Sequence, residues 1–315
     1  MIICRAPINI AIIKYWGKLE GFESENVANN PSLSVTLDID HVFTETKVHV
    51  SPGDGQVLFK LNNTLQEPTK RMKKVLSKFP THEKKIFIES VNNFPTGAGM
   101  ASSASGMAAL VLALDKALNT NYEGKALCEI ARLGSGSACR SVYGGFVEWN
   151  GNSVEQVFTA NHWPELRCLL LITNGEEKRF PSTTAMQTTV ETSDLYSLRR
   201  EIAIKRIGCL KRSIEEKDFS SFAKICMQES NQLHALCLDS FPPIHYLNDK
   251  AFAIMDRIHE MNRECTIAAY TFDAGPNAFI FCLEENLFKV REGLRGFGEM
   301  IECRVGDGPI VTCTD

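Results

Sequence analysis

Two glycines and three serines in the run Pro95-Thr96-Gly97-Ala98-Gly99-Met100-Ala101-Ser102-Ser103-Ala104-Ser105 stand directly before an apolar stretch at 107–118. Small residues leave backbone N–H groups open, and hydroxyls add donors and metal ligands. A helix starting there aims its positive end at the loop. This combination suits a polyphosphate. A plain flexible turn between a strand and a helix would use the same residues. The run is not a P-loop, since no Gly-x-x-x-x-Gly-Lys-Ser/Thr occurs. It is not a dinucleotide fingerprint, because Ser102 stands where the third glycine belongs. No Gly-x-Ser-x-Gly nucleophile elbow occurs either.

Three further clusters carry chemistry. Gly134-Ser135-Gly136-Ser137-Ala138-Cys139-Arg140-Ser141 places an arginine behind two serines in a glycine-rich loop. A guanidinium there offers a rigid fork for a carboxylate, although a helix C-terminus with a solvated arginine reads the same way. Lys14-Tyr15-Trp16-Gly17-Lys18 flanks an aromatic pair with lysines that suit a phosphate or simply end a strand. Asp273-Ala274-Gly275-Pro276-Asn277 follows an apolar strand, where the aspartate is a base or a turn former. Arg71 lies among Lys70, Lys73 and Lys74 on a helical pattern, the usual mark of a solvated face. The histidines, His82, His234 and His245 among them, show no metal-ligand spacing.

The elements that must position these clusters follow from periodicity. Strands are expected at 8–16, 32–37, 42–50, 56–61, 86–91, 143–149, 167–173, 266–272 and 277–283. Helices are expected at 69–79, 123–133, 194–216, 219–236 and 246–262, and the glycine-serine loop feeds another. Residues 51–55 form a turn, and 151–165 read as polar and irregular. The order predicts two α+β domains, 1–165 and 166–315.

Bulk properties bound the partners. The 315 residues are 44% hydrophobic and 23% charged, as in a packed globular protein. A net charge of −4 gives no reason to expect nucleic acid or an anionic membrane as a partner, so a small anionic substrate needs locally placed cations. Eleven cysteines without any Cys-x-x-Cys pair argue against a zinc cluster or a disulfide framework. Reduced thiols and an N-terminus without a signal peptide lead to the expectation of a cytoplasmic protein. No segment reaches the ~20 apolar residues of a membrane span.

In this order, over residues from about 6 to 283, the clusters resemble the diphosphomevalonate decarboxylase family of the GHMP kinase superfamily. Ser32-Leu33-Ser34-Val35-Thr36-Leu37-Asp38 and Leu236-Cys237-Leu238-Asp239-Ser240-Phe241-Pro242-Pro243 belong to the same likeness. The resemblance implies an N-terminal β-α-β domain of the ribosomal-protein-like GHMP type. It implies a ferredoxin-like C-terminal domain, with the active site in the cleft between the two. It also implies ATP and Mg²⁺, a homodimer, and conversion of the 5-diphosphate of mevalonate to isopentenyl diphosphate, ADP, phosphate and carbon dioxide. On matching positions, Asp273 is the catalytic aspartate, Lys18 bridges developing charge, and Arg140 clamps the substrate carboxylate. Ser103, with Ser102, meets ATP phosphates and the metal. Pro95, Gly97, Ala98, Gly99, Met100, Ala101 and Ser105 complete the nucleotide loop. Lys14, Tyr15, Trp16, Gly17, Arg71, Ser135, Gly136, Ser137, Ala138, Cys139, Thr192 and Ser193 are implied on the substrate side.

Gly97 and Met100 depart from the alanine and leucine common in the family, and the chain is short for it. Rival readings are a monophosphate decarboxylase, a kinase of the tertiary hydroxyl, another GHMP small-molecule kinase, and an ATP-binding sensor without catalysis.

Overall fold

The structure is a computed structural model and describes residues 1–94, 102–173 and 180–314. Strands β1 (Ile2–Pro7) and β2 (Asn9–Ile13) open the chain. The apolar run expected as a strand over 8–16 leaves the sheet at Ile13, so the lysine–aromatic pentapeptide falls on a loop. Four strands follow: β3 (Ser32–Thr36), β4 (Phe43–Pro52), β5 (Val57–Leu61) and β6 (Thr64–Gln66). Helix α1 (Lys70–Leu76) starts where the Thr69 hydroxyl accepts from the Met72 N–H at 3.2 Å. Next come β7 (Lys84–Asn92), α2 (Ser102–Leu118), α3 (Gly124–Gly134) and β8 (Phe146–Asn150).

The stretch expected to be irregular holds a strand instead, β9 (Ser153–Phe158), hairpinned to β8. None of its side chains is fully buried and half are exposed, so no apolar alternation marks it in the sequence. Beyond it lie β10 (Leu166–Ile172), α4 (Ser182–Thr192), α5 (Arg199–Glu215), α6 (Phe219–Asp239) and α7 (Asp249–Met261). The helix expected from 194 begins with a 3₁₀ turn, Asp194–Leu198, before α5. The chain finishes with β11 (Ala269–Phe272), β12 (Ala278–Leu283), α8 (Leu287–Gly293), β13 (Glu299–Arg304) and β14 (Ile310–Cys313).

Three sheets result. The six-stranded sheet runs β14-β1-β4-β7-β5-β6, and β5 is parallel to β7. The two four-stranded sheets run β2-β3-β8-β9 and β11-β12-β10-β13. β14 pairs with β1, Ile2 opposite Cys313, so the last strand returns to the N-terminal sheet across the division expected at 165. Helices α2 and α3 pack on that sheet through Ala108, Val111, Leu114 and Ala131. The core below the site is shared. Ile10 and Ile12 of β2, Leu33 and Val35 of β3 and Phe146 of β8 meet Phe222 and Cys226 of α6 and Phe279 of β12.

Among these apolar contacts lies a buried ionic cluster. Glu229 of α6, fully shielded from solvent, pairs with Arg199 of α5 at 2.8 Å and with Arg206 at 2.6 Å. Burial alone would raise the Glu229 carboxyl. The two arginines outweigh burial and hold it below its ordinary range. The same cluster grips the chain leaving β2. Glu229 Oε2 accepts the Lys14 N–H at 3.1 Å, and Arg199 Nη2 donates to the Lys14 carbonyl at 2.6 Å.

Removing one member of such a cluster strands the others as uncompensated buried charges. Glu229→Ala is therefore expected to cost about 3–5 kcal/mol, read from denaturant unfolding. A loss below about 1 kcal/mol, the range of exposed pairs, would show that the arginines find other partners.

Candidate active site

A cavity of about 340 Å³ opens where the loop after β2, the first turn of α2, the loop after α3, the start of α4 and the loop after β11 converge. Twelve of the sequence-predicted residues line it: Lys14, Tyr15, Trp16, Lys18, Arg71, Ser102, Ser103, Ser135, Gly136, Ser137, Arg140 and Asp273. Segments up to about 260 residues apart in sequence thus share one wall.

Lys14 and Asp273 face each other at the ends of their strands. Their Nζ–Oδ1 distance is 2.7 Å, with Lys14 only 2% exposed and Asp273 26%. Each follows directly on its strand, Lys14 on β2 and Asp273 on β11. The ion pair therefore joins the two halves of the chain across the cavity floor. Asp273 is more than a turn former, since its carboxylate faces the cavity while its main-chain carbonyl takes the turn bond from the Gly275 N–H.

Arg140 is 2% exposed and forms no ion pair among the described residues. Its Nη1 donates to the Ser32 hydroxyl at 2.8 Å and its Nε to the Asn9 side chain at 3.3 Å. The guanidinium lies 5.8 Å from the centre of the Trp149 ring. Burial lowers its affinity for the proton, and the charge of Asp273 partly offsets that. A buried guanidinium held only by neutral groups is aimed for an incoming anion. Asn9 was not singled out in the sequence. The signal was there: an amide inside the apolar run 8–13.

Lys18 and Arg71 sit at the opposite wall. Partial burial, then the neighbouring cations Arg71 and Lys74, push the Lys18 amine below its ordinary value, and Glu23 acts against them. Like charges gathered this closely favour an anion between them. Arg71 is solvent-exposed, as its run of lysines suggests, and also lines this wall, with its Nη2 donating to Thr183 Oγ1 at 2.7 Å. Thr183 and Ser182, at the start of α4, line the cavity and were missed in the sequence because α4 shows no strong apolar period. Ser103 Oγ in the first turn of α2 lies 3.3 Å from Ser135 Oγ at the C-cap of α3. Tyr15 packs on Trp149 at 4.8 Å between ring centres.

Other predicted residues shape the site from behind. Gly17 adopts φ +95°, and a Cβ there would stand 1.8 Å from Tyr196 Oη, so only glycine lets the pentapeptide turn. Ala138 and Cys139 are fully buried under the arginine loop. Ser105 is buried too and exchanges a 2.7 Å hydrogen bond with Thr44. Thr192 and Ser193 do not reach the cavity. Thr192 Oγ1 accepts the Phe241 N–H at 2.8 Å, and Ser193 Oγ donates to Asp239 at 2.6 Å. Both serve to dock α4 on the end of α6. Pro95, Gly97, Ala98, Gly99, Met100 and Ala101, expected in the nucleotide loop, lie outside the described residues.

A second cavity, of about 230 Å³, borders the first at Ser102 and Ser103. Its walls are mostly apolar, with Phe59, Leu61, Met72, Ile88, Met107 and Leu110. Thr44, Thr46, Ser90 and Asn92 supply the polar face.

His234 of α6 is buried beside the Lys14–Asp273 pair. Burial first, and the Lys14 charge second, lower it from 6.5 to about 3. Below pH 6.5 the unfolded chain takes up a proton that the native ring refuses. Stability from this residue is therefore unchanged above that pH and falls as pH drops toward 3, by about 1.4 kcal/mol per unit. His234→Gln should lose about 1 kcal/mol less stability than the parent between about pH 6.5 and 5.5, where the unfolded ring is still only partly protonated. Parallel pH profiles of unfolding for the two proteins would count against a neutral His234.

Fold and cavity together point to one class, an α+β enzyme acting on a small molecule with several negative charges. The comparisons agree. The model of the mevalonate 5-diphosphate decarboxylase C-terminal domain matches residues 168–302. The diphosphomevalonate decarboxylase-like N-terminal domain matches residues 6–159. The chain is 41% identical over 309 residues to the diphosphomevalonate decarboxylase of Candida albicans, covering 90% of this chain and 85% of that one. It superposes on mevalonate diphosphate decarboxylase from Trypanosoma brucei with a TM-score of 0.90 at 31% identity, over 99% of this chain and 98% of that one. For MDDEF in complex with MVAPP, AMPPCP and magnesium, the TM-score is 0.89 at 33% identity, over 99% of each chain. The chain belongs to the diphosphomevalonate decarboxylase family. The three-sheet α+β architecture is the fold expected of it, consistent with the two-domain GHMP type.

Proposed function

We propose that this chain performs the ATP-dependent decarboxylation of the 5-diphosphate of mevalonate, with the two cavities holding the two substrates. The observation that carries the reading is the placement of a buried, unpaired guanidinium, a lysine–arginine wall and the Lys14–Asp273 pair around one cavity. The substrate has one carboxylate, one diphosphate and one tertiary hydroxyl. Arg140 takes the carboxylate as a bidentate partner. Lys18 and Arg71, with Ser135 and Ser137, take the diphosphate. Asp273 accepts a hydrogen bond from the hydroxyl and receives its proton.

The oxygen so freed attacks the γ-phosphorus of ATP, and ADP leaves. The C–O bond to the new phosphate then breaks as the C–C bond to the carboxylate breaks. The electron pair of the latter becomes the double bond of the product, and carbon dioxide departs. Arg140 holds the carboxylate in a fixed plane for this last step.

The second cavity suits the purine of ATP, with apolar faces for the ring and hydroxyl and amide groups for its edge. The phosphates then run toward Ser102 and Ser103 at the positive end of α2. The site accommodates Mg²⁺ as an ion carried by the nucleotide. The Ser103 hydroxyl is a hard oxygen ligand on the cavity wall, and no cluster of three carboxylate, imidazole or thiolate groups exists among the described residues to hold a metal alone. When bound, the ion neutralises charge on the phosphate oxygens. AMPPCP and magnesium in the MDDEF complex support this reading.

We also read the chain as two units meeting near residue 165, with β14 returning to the first, and as a homodimer in a cytoplasmic setting. No helix among the described residues is long and apolar enough to cross a membrane.

Asp273→Asn is expected to keep nucleotide binding and to abolish turnover, by direct titration of ATP binding and by coupled ADP release. Near-parental turnover would remove Asp273 from the reaction. Arg140→Lys keeps the charge and loses the fork, and kcat/KM for the diphosphate substrate should fall by the equivalent of ~1–3 kcal/mol. An unchanged kcat/KM would count against the carboxylate clamp. The same assay with the monophosphate discriminates the nearest rival, since robust turnover of the monophosphate alone would overturn the substrate assignment.

A further inference from the structure

Asp273 owes its place to the strand that carries it, and that strand has a weakness. β11 stands at the edge of its sheet, bonded to β12 on one side only. The outward main-chain groups of an edge strand have no ladder partner and must be satisfied from elsewhere. At the last position of β11, one residue before Asp273, the Phe272 N–H donates to Ser230 Oγ of α6 at 2.9 Å. Ser230 is 1% exposed, so water does not offer a substitute acceptor.

The neighbouring residue on the same helix performs the matching task for the other half of the ion pair. Glu229 Oε2 accepts the Lys14 N–H. Lys14 and Asp273 each follow the end of a strand, and consecutive residues of one helix therefore hold the main chain at both ends. The helix buries one face, with Phe222, Cys226, Leu233 and Cys237 on it. We propose that Ser230 is a positioning residue for the reaction: through the Phe272 N–H it fixes the end of β11 and so sets Asp273 against Lys14 and the substrate hydroxyl.

The surroundings are consistent with this role. One turn along α6, the His234 ring packs edge-on against Phe272 with centres 6.3 Å apart. Next to Ser230, Asn231 Oδ1 accepts from Tyr270 Oη at 3.1 Å. Three positions of α6 thus seat alternate residues of β11: Ser230 accepts the Phe272 N–H, and His234, one turn on, also meets the Phe272 main chain. Ser230 does not line the substrate cavity, so it acts through geometry rather than contact with substrate.

The inference rests on the assignment of Asp273 to the substrate hydroxyl, and the experiment keeps the two apart. ADP release with ATP, Mg²⁺ and mevalonate diphosphate is measured for the full chain carrying Ser230→Ala, Ser230→Cys or Asp273→Asn. Ser230→Ala should lower kcat roughly tenfold, with both KM values within about twofold of the parent, because substrates still bind while the reacting group is displaced. Ser230→Cys keeps the volume and surrenders most of the acceptor strength, so it should shift kcat in the same direction. It carries the test if the alanine variant does not fold. A kcat within about twofold of the parent, or a fall matched by a rise in either KM, would overturn the positioning role. If Asp273→Asn itself turns over normally, the reading of Asp273 fails first. If that variant is inactive and Ser230→Ala is not impaired, only the present inference fails.

Discussion

The site depends on one buried carboxylate. Glu229, sealed from water between Arg199 and Arg206, fixes the main chain of Lys14 from both sides, through its own oxygen and through the guanidinium it holds. A lone lysine ammonium at 2% exposure would be costly to bury. It is tolerable here because its backbone is locked in register with Asp273, which lies 2.7 Å away. Stability and chemistry therefore share a component. The cluster is an expensive way to hold α5, α6 and β2 together, since apolar side chains of the same volume would do as well for stability alone. It adds direction: a bidentate guanidinium defines where a carbonyl and a carboxylate must lie, and apolar packing does not.

Electrostatics around the cavity follow the same logic. The chain as a whole carries −4, yet the cavity gathers Lys14, Lys18, Arg71 and Arg140 with Asp273 as its one acidic side chain among the described lining residues. Surface attraction plays little part in such a site. The desolvated charges are those of Lys14 and Arg140, whereas Lys18 is partly buried and Arg71 exposed. Arg140 has already lost its water, and its neutral partners Asn9 and Ser32 orient it without neutralising it. Lys18 is held near Arg71 and Lys74 at some cost to its own charged form. A ligand with charge at both ends relieves both walls at once, and a ligand with charge at one end relieves only one.

Much of this was legible in the sequence, and the illegible parts share a cause. The glycine-serine and serine-arginine loops announce themselves by composition, and strands such as β2 and β10 by apolar runs. The family likeness then tied the loops to Asp273. What stayed hidden were residues whose meaning lies in a partner far along the chain. Gly17 looks like ordinary turn chemistry until Tyr196 fills the space where its Cβ would stand. Thr192 and Ser193 look like substrate contacts by likeness, yet they dock one helix on another. β9 escaped notice because an exposed edge strand needs no apolar alternation.

Glu229 and Ser230 lie between these cases. Phe222, Cys226, Leu233 and Cys237 recur at helical spacing, and Glu229 and Ser230 fall on the same stripe. A charged residue on an apolar stripe must have a buried partner, so its existence could be read even though Arg199 and Lys14 could not be named. That stripe also places α6 under the site, where it contributes Leu233 to the cavity wall. Its inward face must pack against β2 and β11 to complete the shared core, and those are the two strands whose ends carry the ion pair. The polar residues at that contact, Glu229 and Ser230, each take a main-chain N–H at a strand end. The packing that closes the fold is thereby the packing that fixes the distance between Lys14 and Asp273.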